Sequence, residues 1–122
     1  MKITAFYPAV ITDDAEKVVE KMKYFGFNVI HQRIISPAEG VSEYVMASEN
    51  NQRTDVVCDP TASGELHAIR VNVDDFDEAI KMYGDEGFTV VKGPSVMPDS
   101  KNVRLAAPGK PLILLMQHIK KD

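Results

Sequence analysis

The sequence predicts an α+β fold of two tandem βαβββ modules that form mixed sheets. In each half of the chain an acidic pair, Asp13-Asp14 or Asp74-Asp75, opens a charged amphipathic segment, and a Gly-Phe pair closes it. A run of short β-rich segments follows each Gly-Phe pair. Both pairs recur after 61 residues. The chain therefore contains one internal repeat, and each copy is expected to form one module.

Length and composition indicate one domain, residues 1–122, with module one at about residues 1–61 and module two at about 65–122. A half-chain would bury too little apolar surface to be stable alone. The net charge of -4 disfavours a nucleic-acid partner, because proteins that bind nucleic acid usually carry a basic patch. No apolar run is long enough to span a bilayer, so no membrane partner is expected. The single cysteine, Cys58, favours a cytoplasmic location.

The first module begins with a strand and a helix. Residues 3–11 are rich in apolar and β-branched side chains, which predicts a strand. Thr12, Asp13 and Asp14 can accept hydrogen bonds at the amino end of a helix, and Gly26 is suited to end it. Apolar residues between these signals recur at helical spacing. Three further strands are predicted at residues 28–35, 42–47 and 53–58.

The second module repeats this order. In the strand predicted at residues 66–73, Ile69, Val71 and Val73 alternate with Arg70 and Asn72. The apolar set is expected to pack on the helix, so the polar set should occupy the other face. The second helix is predicted to begin at Asp74 or Asp75 and to end at Gly87. Three more strands are predicted at residues 89–91, 102–106 and 112–119.

These features resemble the vicinal oxygen chelate superfamily, which has the glyoxalase/bleomycin-resistance/dioxygenase fold. The segment Leu66–Ile80 resembles the start of a second module in that family, and Gly87–Val90 and Pro108–Leu112 also fit its pattern. The resemblance covers essentially the whole chain. It implies cupped mixed sheets, two modules meeting around a cleft, and a homodimer. In the family's enzymes the cleft holds a divalent metal, typically bound by a His on the first strand of a module and a Glu on the last.

The family's metal-ligand positions are poorly filled in this sequence. In strand order, the residues at these positions are Phe6 or Tyr7, Asp55 or Val56, His67 or Ala68, and Ile113 or Leu114. His67 lies two residues before Ile69, so in a regular strand both side chains point away from the cleft. A bulge would reverse the direction of His67. Asp55 and His67 are thus the two candidate metal ligands, and a site normally needs three. We therefore expect no metal site and no cofactor.

The resemblance and the missing ligands predict a metal-independent small-molecule-binding protein, for example one that sequesters a drug or a metabolite. One alternative is a lyase, isomerase or dioxygenase with a displaced metal site. Another is a structural or regulatory dimer without a ligand. No catalytic residue is predicted. In the cleft Arg70 can hold a carboxylate by paired hydrogen bonds, or instead pair with an acid at the sheet surface. The candidate cleft residues are Tyr7, Tyr44, Met46, Arg70, Asn72, Leu114 and Met116.

Overall fold

The computed structural model describes residues 1–119, so residues 120–122 of the predicted second module lie outside the described range. Contacts divide the chain into two units. The first unit is Pro8–His67, and the second joins Met1–Tyr7 to the chain from Ala68 onward. In the described part of the chain, no helix has the length and apolar character needed to cross a membrane.

The first unit has a mixed sheet with the strand order β2-β3-β4-β1. The pairs β2/β3 and β3/β4 are antiparallel, whereas β1 lies parallel to β4, with Ala9 opposite Asp55. One helix packs on this sheet. The elements are β1 (Ile3–Thr12), α1 (Ala15–Tyr24), β2 (Asn28–Ser36), β3 (Val41–Ala47) and β4 (Arg53–Cys58).

The second unit has the same plan, with the strand order β5-β8-β7-β6. β5 lies parallel to β8, and the pairs β8/β7 and β7/β6 are antiparallel. The equivalence of the two pairing patterns confirms the two predicted βαβββ modules. The elements are β5 (Glu65–Val73), α2 (Phe76–Asp85), β6 (Thr89–Met97), β7 (Ser100–Ala106) and β8 (Leu112–His118).

The second aspartate of each acidic pair is the N-cap residue of the helix that follows it. The Asp14 side chain accepts a hydrogen bond from the Lys17 amide at 3.3 Å, and the Asp75 side chain accepts one from the Glu78 amide at 3.1 Å. These bonds satisfy amide groups that have no partner inside the helix. The amino end of α2 has an additional partner from the sheet, because the Phe76 amide donates to Gln117 Oε1 at 2.8 Å.

Each helix packs on one face of its own sheet. The α1 core contains Ala15, Val18 and Val19 from the helix, together with Met46 and Val56 from the strands. The α2 core has the same design and is larger. Its buried members are Val71, Val73, Phe76, Ala79, Phe88, Val103, Leu105, Ile113 and Leu115.

The segment Met1–Tyr7 precedes the first unit in sequence but belongs to the second. The Lys2 amide donates to Asp74 Oδ1 at 2.6 Å, and the Asp74 amide donates to the Lys2 carbonyl at 3.1 Å. These bonds connect the start of β1 to the end of β5. The boundary between the units therefore differs from the boundary of the sequence repeat, which assigns residues 1–7 to module one.

Strand β6 is longer than predicted. The predicted strand covers residues 89–91, whereas β6 continues to Met97. β6 is the outermost strand of its unit and has a register shift between Lys92 and Ser95. An outer strand with a bulge tolerates a proline, because the missing amide proton is not needed on its open side.

Gly93 allows the backbone to turn at this bulge. Its φ is +87°, and a Cβ added there would lie 3.2 Å from the Ser95 nitrogen and 3.3 Å from the Asn102 oxygen. Gly26, after α1, has a similar φ of +93° with nothing within 4 Å of the added Cβ. We expect Gly93→Ala to lower the free energy of unfolding by about 2–3 kcal/mol, and Gly26→Ala by about 1 kcal/mol.

Denaturant unfolding of the two glycine variants measures this difference. Because φ is nearly the same at both sites, the excess cost at Gly93 reports the close approach of the neighbouring backbone atoms. Equal losses in the two variants would contradict this explanation.

Candidate functional site

The face of the second sheet that does not contact α2 is lined by polar and apolar side chains. Ile69, Val71 and Val73 pack in or against the α2 core, which confirms the predicted face of this strand. Because neighbouring residues of a strand point to opposite sides, Arg70 and Asn72 lie on the other face. We call this surface of β5, β8, β7 and β6 the polar face.

Cross-strand pairing arranges the polar face in two rows. Arg70 and Arg104 both pair with Leu114, and Arg104 also pairs with Lys92. The first row, which we call the cationic row, contains Arg70, Leu114, Arg104 and Lys92. The second row, which we call the amide row, contains Asn72, Met116, Asn102 and Ser95. Side chains in directly paired positions lie about 5 Å apart at Cβ, so each row is continuous.

Several polar side chains of this face are almost fully buried. Arg70 is 3% exposed, and its Nη1 donates to the Leu114 carbonyl at 3.3 Å. Asn72 is 7% exposed, and its Nδ2 lies 3.5 Å from His118 Nε2. The Asn72 Oδ1 atom is buried and has no hydrogen-bond partner among the described residues. Such an unpartnered amide oxygen costs folding free energy unless another molecule supplies the missing donor.

The corresponding face of the first sheet carries buried acids. Glu43 and Asp55 are 2% and 1% exposed. They lie on the adjacent strands β3 and β4 and point to the same side, because Val45 pairs with Asp55 and Glu43 lies two residues from Val45. The Arg33 Nε atom forms an ion pair with Glu43 Oε1 at 3.2 Å. Glu43 was not predicted from the sequence, although it shares one face of β3 with the buried residues Val41 and Val45.

The predicted cleft residues do not all lie on one surface. Arg70, Asn72, Leu114 and Met116 lie together on the polar face. Tyr44 and Met46 were assigned to the wrong face. Met46 belongs to the α1 core and Tyr44 packs against it, because their partners in β4, Thr54 and Val56, share that side of the sheet. Tyr7 is half-buried on β1, in step with Ala9 on the side away from the α1 core.

The residues at the family's metal-ligand positions do not fit a divalent metal. Within residues 1–119, no three His, Cys, Asp or Glu side chains are grouped so that they could hold an ion. Ala68 and Leu114 have no donor atom. His67 is exposed and remains in step with Ile69, without a bulge that would turn it inward. Asp55 and Glu43 supply two carboxylates on one face, fewer than the three ligands that a metal site normally requires.

A surface pocket of about 500 Å³ lies at the amino end of α1 in the first unit. Its charged side chains have structural roles: Asp14 caps the helix, and Lys21 pairs with Glu65 at 3.3 Å. We therefore assign no function to this pocket. Its lining residues are Thr12, Asp13, Asp14, Lys17, Val18, Lys21, Gly64 and Glu65.

The strand order of each unit and the helix packed on its sheet agree with the predicted α+β glyoxalase/bleomycin-resistance-like fold. Solved structures match this fold over nearly the whole chain. No family model and no curated protein matches the sequence. The likeness is therefore one of structure.

Several of the similar structures are methylmalonyl-CoA epimerases. The Streptomyces coelicolor enzyme in complex with 2-nitronate-propionyl-CoA is 16% identical, with a TM-score of 0.68 and coverage of 98% of this chain and 100% of that chain. An epimerase in complex with methylmalonyl-CoA and NH4+ is 17% identical, with a TM-score of 0.67 and 95% coverage of both chains. The Mycobacterium tuberculosis enzyme is 15% identical, with a TM-score of 0.68 and coverage of 97% and 90%.

Proposed function

We propose that this protein binds a small organic molecule on the polar face without a metal ion. The observation that carries this proposal is the buried Asn72 amide, which has one end against His118 and the other without a partner in the described chain. A bound molecule that reaches Asn72 would satisfy this end.

Two further observations support binding at this surface. Apolar Leu114 and Met116 lie between polar side chains, and ligand sites commonly combine apolar walls with a few directed polar groups. Solved proteins of this fold bind acyl-CoA esters, as the two epimerase complexes show for those proteins. The metal-ligand positions lack a fitting donor set, so we assign the binding to the side chains themselves.

Native mass spectrometry of gently purified protein tests the proposal. We expect a small organic mass that co-purifies with the protein, or that binds from a panel of short-chain acids and acyl-CoA esters, with no stoichiometric metal. The same spectrum measures whether the chain forms the predicted homodimer. One metal ion bound per chain would contradict metal-independent binding. A failure of every organic compound to bind would favour the structural or regulatory dimer.

A second candidate function is an isomerase or lyase that transfers a proton. It is favoured by the buried pair of acids on the first sheet, because a carboxylate held away from water can act as a general base. The test is incubation with methylmalonyl-CoA in deuterated water, with Glu43→Gln as the comparison. Deuterium incorporation that the substitution abolishes would establish catalysis. Its absence in the parent protein would leave binding as the function of the chain.

A further inference from the structure

We infer that the ligand is a short-chain carboxylic acid whose carboxylate lies on the cationic row, an inference that rests on the proposed function. The row brings three cations to one face of the sheet: Arg104 pairs with Lys92, and Leu114 separates Arg104 from Arg70. No paired position of the polar face carries an acid. Arg104 and Lys92 were not recognised from the sequence. The cationic row therefore gives the polar face a charge preference, which the amide row alone would not provide.

The guanidinium groups suit a carboxylate in geometry as well as in charge. An arginine presents five N–H donors in a planar fork that matches the two oxygens of a carboxylate. The Leu114 carbonyl accepts from one nitrogen of Arg70, which fixes the group at the sheet. Arg70, Arg104 and Lys92 each make other interactions within the protein, so the ligand would join an existing network of charges. Since Arg70 is 3% exposed, this attraction is screened weakly by water.

The spacing of the two rows defines the length of the ligand. Arg70 and Asn72 are two residues apart on one strand, so the rows are separated by about 7 Å. A molecule that reaches both rows has its second polar group roughly five covalent bonds from the carboxylate. Leu114 and Met116 lie along this path between the flanking strands and would contact the carbon chain. Glutaramate, the monoamide of glutaric acid, meets both requirements and serves as the probe, because its amide N–H can donate to Asn72 Oδ1.

The test compares glutaramate with its methyl ester, which has the same carbon chain and amide group and no charge, by titration calorimetry. We expect glutaramate to bind at least tenfold more tightly than the ester, and added salt to weaken the binding of glutaramate alone. Arg104→Gln and Lys92→Gln should each weaken glutaramate binding about tenfold and leave the ester unaffected. Lys101→Gln is the matched control, because Lys101 lies on β7 three residues from Arg104 and points to the opposite face.

The outcomes separate this inference from the proposed function. If the ester binds as tightly as glutaramate and Asn72→Leu abolishes binding of both, the anion preference is overturned and the proposed function stands. The preference is also overturned if Arg104→Gln and Lys92→Gln retain full affinity for glutaramate. If neither compound binds and native mass spectrometry finds no organic mass, both are overturned. Thermal melting of each variant establishes that a loss of affinity does not reflect unfolding.

Discussion

Replacing Leu115 by alanine will lower the free energy of unfolding by about 4 kcal/mol. Leu115 is completely buried at the centre of the α2 core, between the helix and strands β5 and β7. The truncation removes three buried carbon atoms and leaves a cavity that the surrounding sheet cannot fill by collapse. Equilibrium denaturation by urea, followed by circular dichroism, measures the loss.

The repeat provides a matched control for this substitution. Val56 occupies the same place in the first unit, because Val10 pairs with Val56 as Val71 pairs with Leu115. Val56→Ala removes two carbons from the smaller α1 core, and we expect a loss of about 2 kcal/mol. A loss at Val56 equal to that at Leu115 would show that cavity size does not determine the cost in these cores.

Replacing Asn72 by leucine will abolish ligand binding without lowering stability. The substitution keeps the branching and the number of side-chain heavy atoms of asparagine, and it removes an amide whose Oδ1 is buried without a partner in residues 1–119. Removing an unsatisfied polar atom is neutral or stabilises the folded state by about 1 kcal/mol. Binding should weaken by a factor of 100 or so, because the ligand loses its hydrogen-bond partner at the centre of the site. Urea denaturation and calorimetry of the same variant measure the two effects.

Asn102→Leu is the appropriate comparison. Asn102 has the same 7% exposure and pairs with Met116 from the other side, yet it makes other interactions and leaves no buried side-chain atom unpartnered. We expect this variant to lose about 1–2 kcal/mol of stability. If Asn72→Leu destabilises the protein as much as Asn102→Leu, the Asn72 amide has a structural role and the proposed binding site loses its main support.

The features that depend on residues close together in the sequence, such as strand alternation and helix capping, could be predicted. Alternation in β5 placed Ile69 and Val71 toward the helix and Arg70 and Asn72 away from it, and the structure agrees. The helix boundaries followed from the acidic pairs and the Gly-Phe pairs, because capping depends on neighbouring residues. The choice between the two aspartates of each pair needed the backbone conformation, which a sequence pattern does not specify.

The residues that depend on strand register could not be predicted in the same way. Tyr44, Val45 and Met46 are all apolar, so β3 has no alternation there, and only its pairing with β4 shows which of them contact the helix. Arg104 and Lys92 join Arg70 through three pairings across four strands, and a bulge shifts Lys92 into the row. A bulge changes which face a residue occupies. The predicted strand ended at Val91, so Lys92 was not assigned to either face.

Strand β1 contributes Ile3–Tyr7 to one unit and its remaining residues to the other. Cleavage of the chain in the linker at residues 61–64 would therefore not release two intact modules. The amino-terminal fragment would retain residues 1–7, which belong to the second unit. The carboxy-terminal fragment would therefore lack Lys2, the hydrogen-bond partner of Asp74. The two copies of the repeat have thus become interdependent, and separately expressed halves are expected to recover their structure only by reassociation, as complementing fragments.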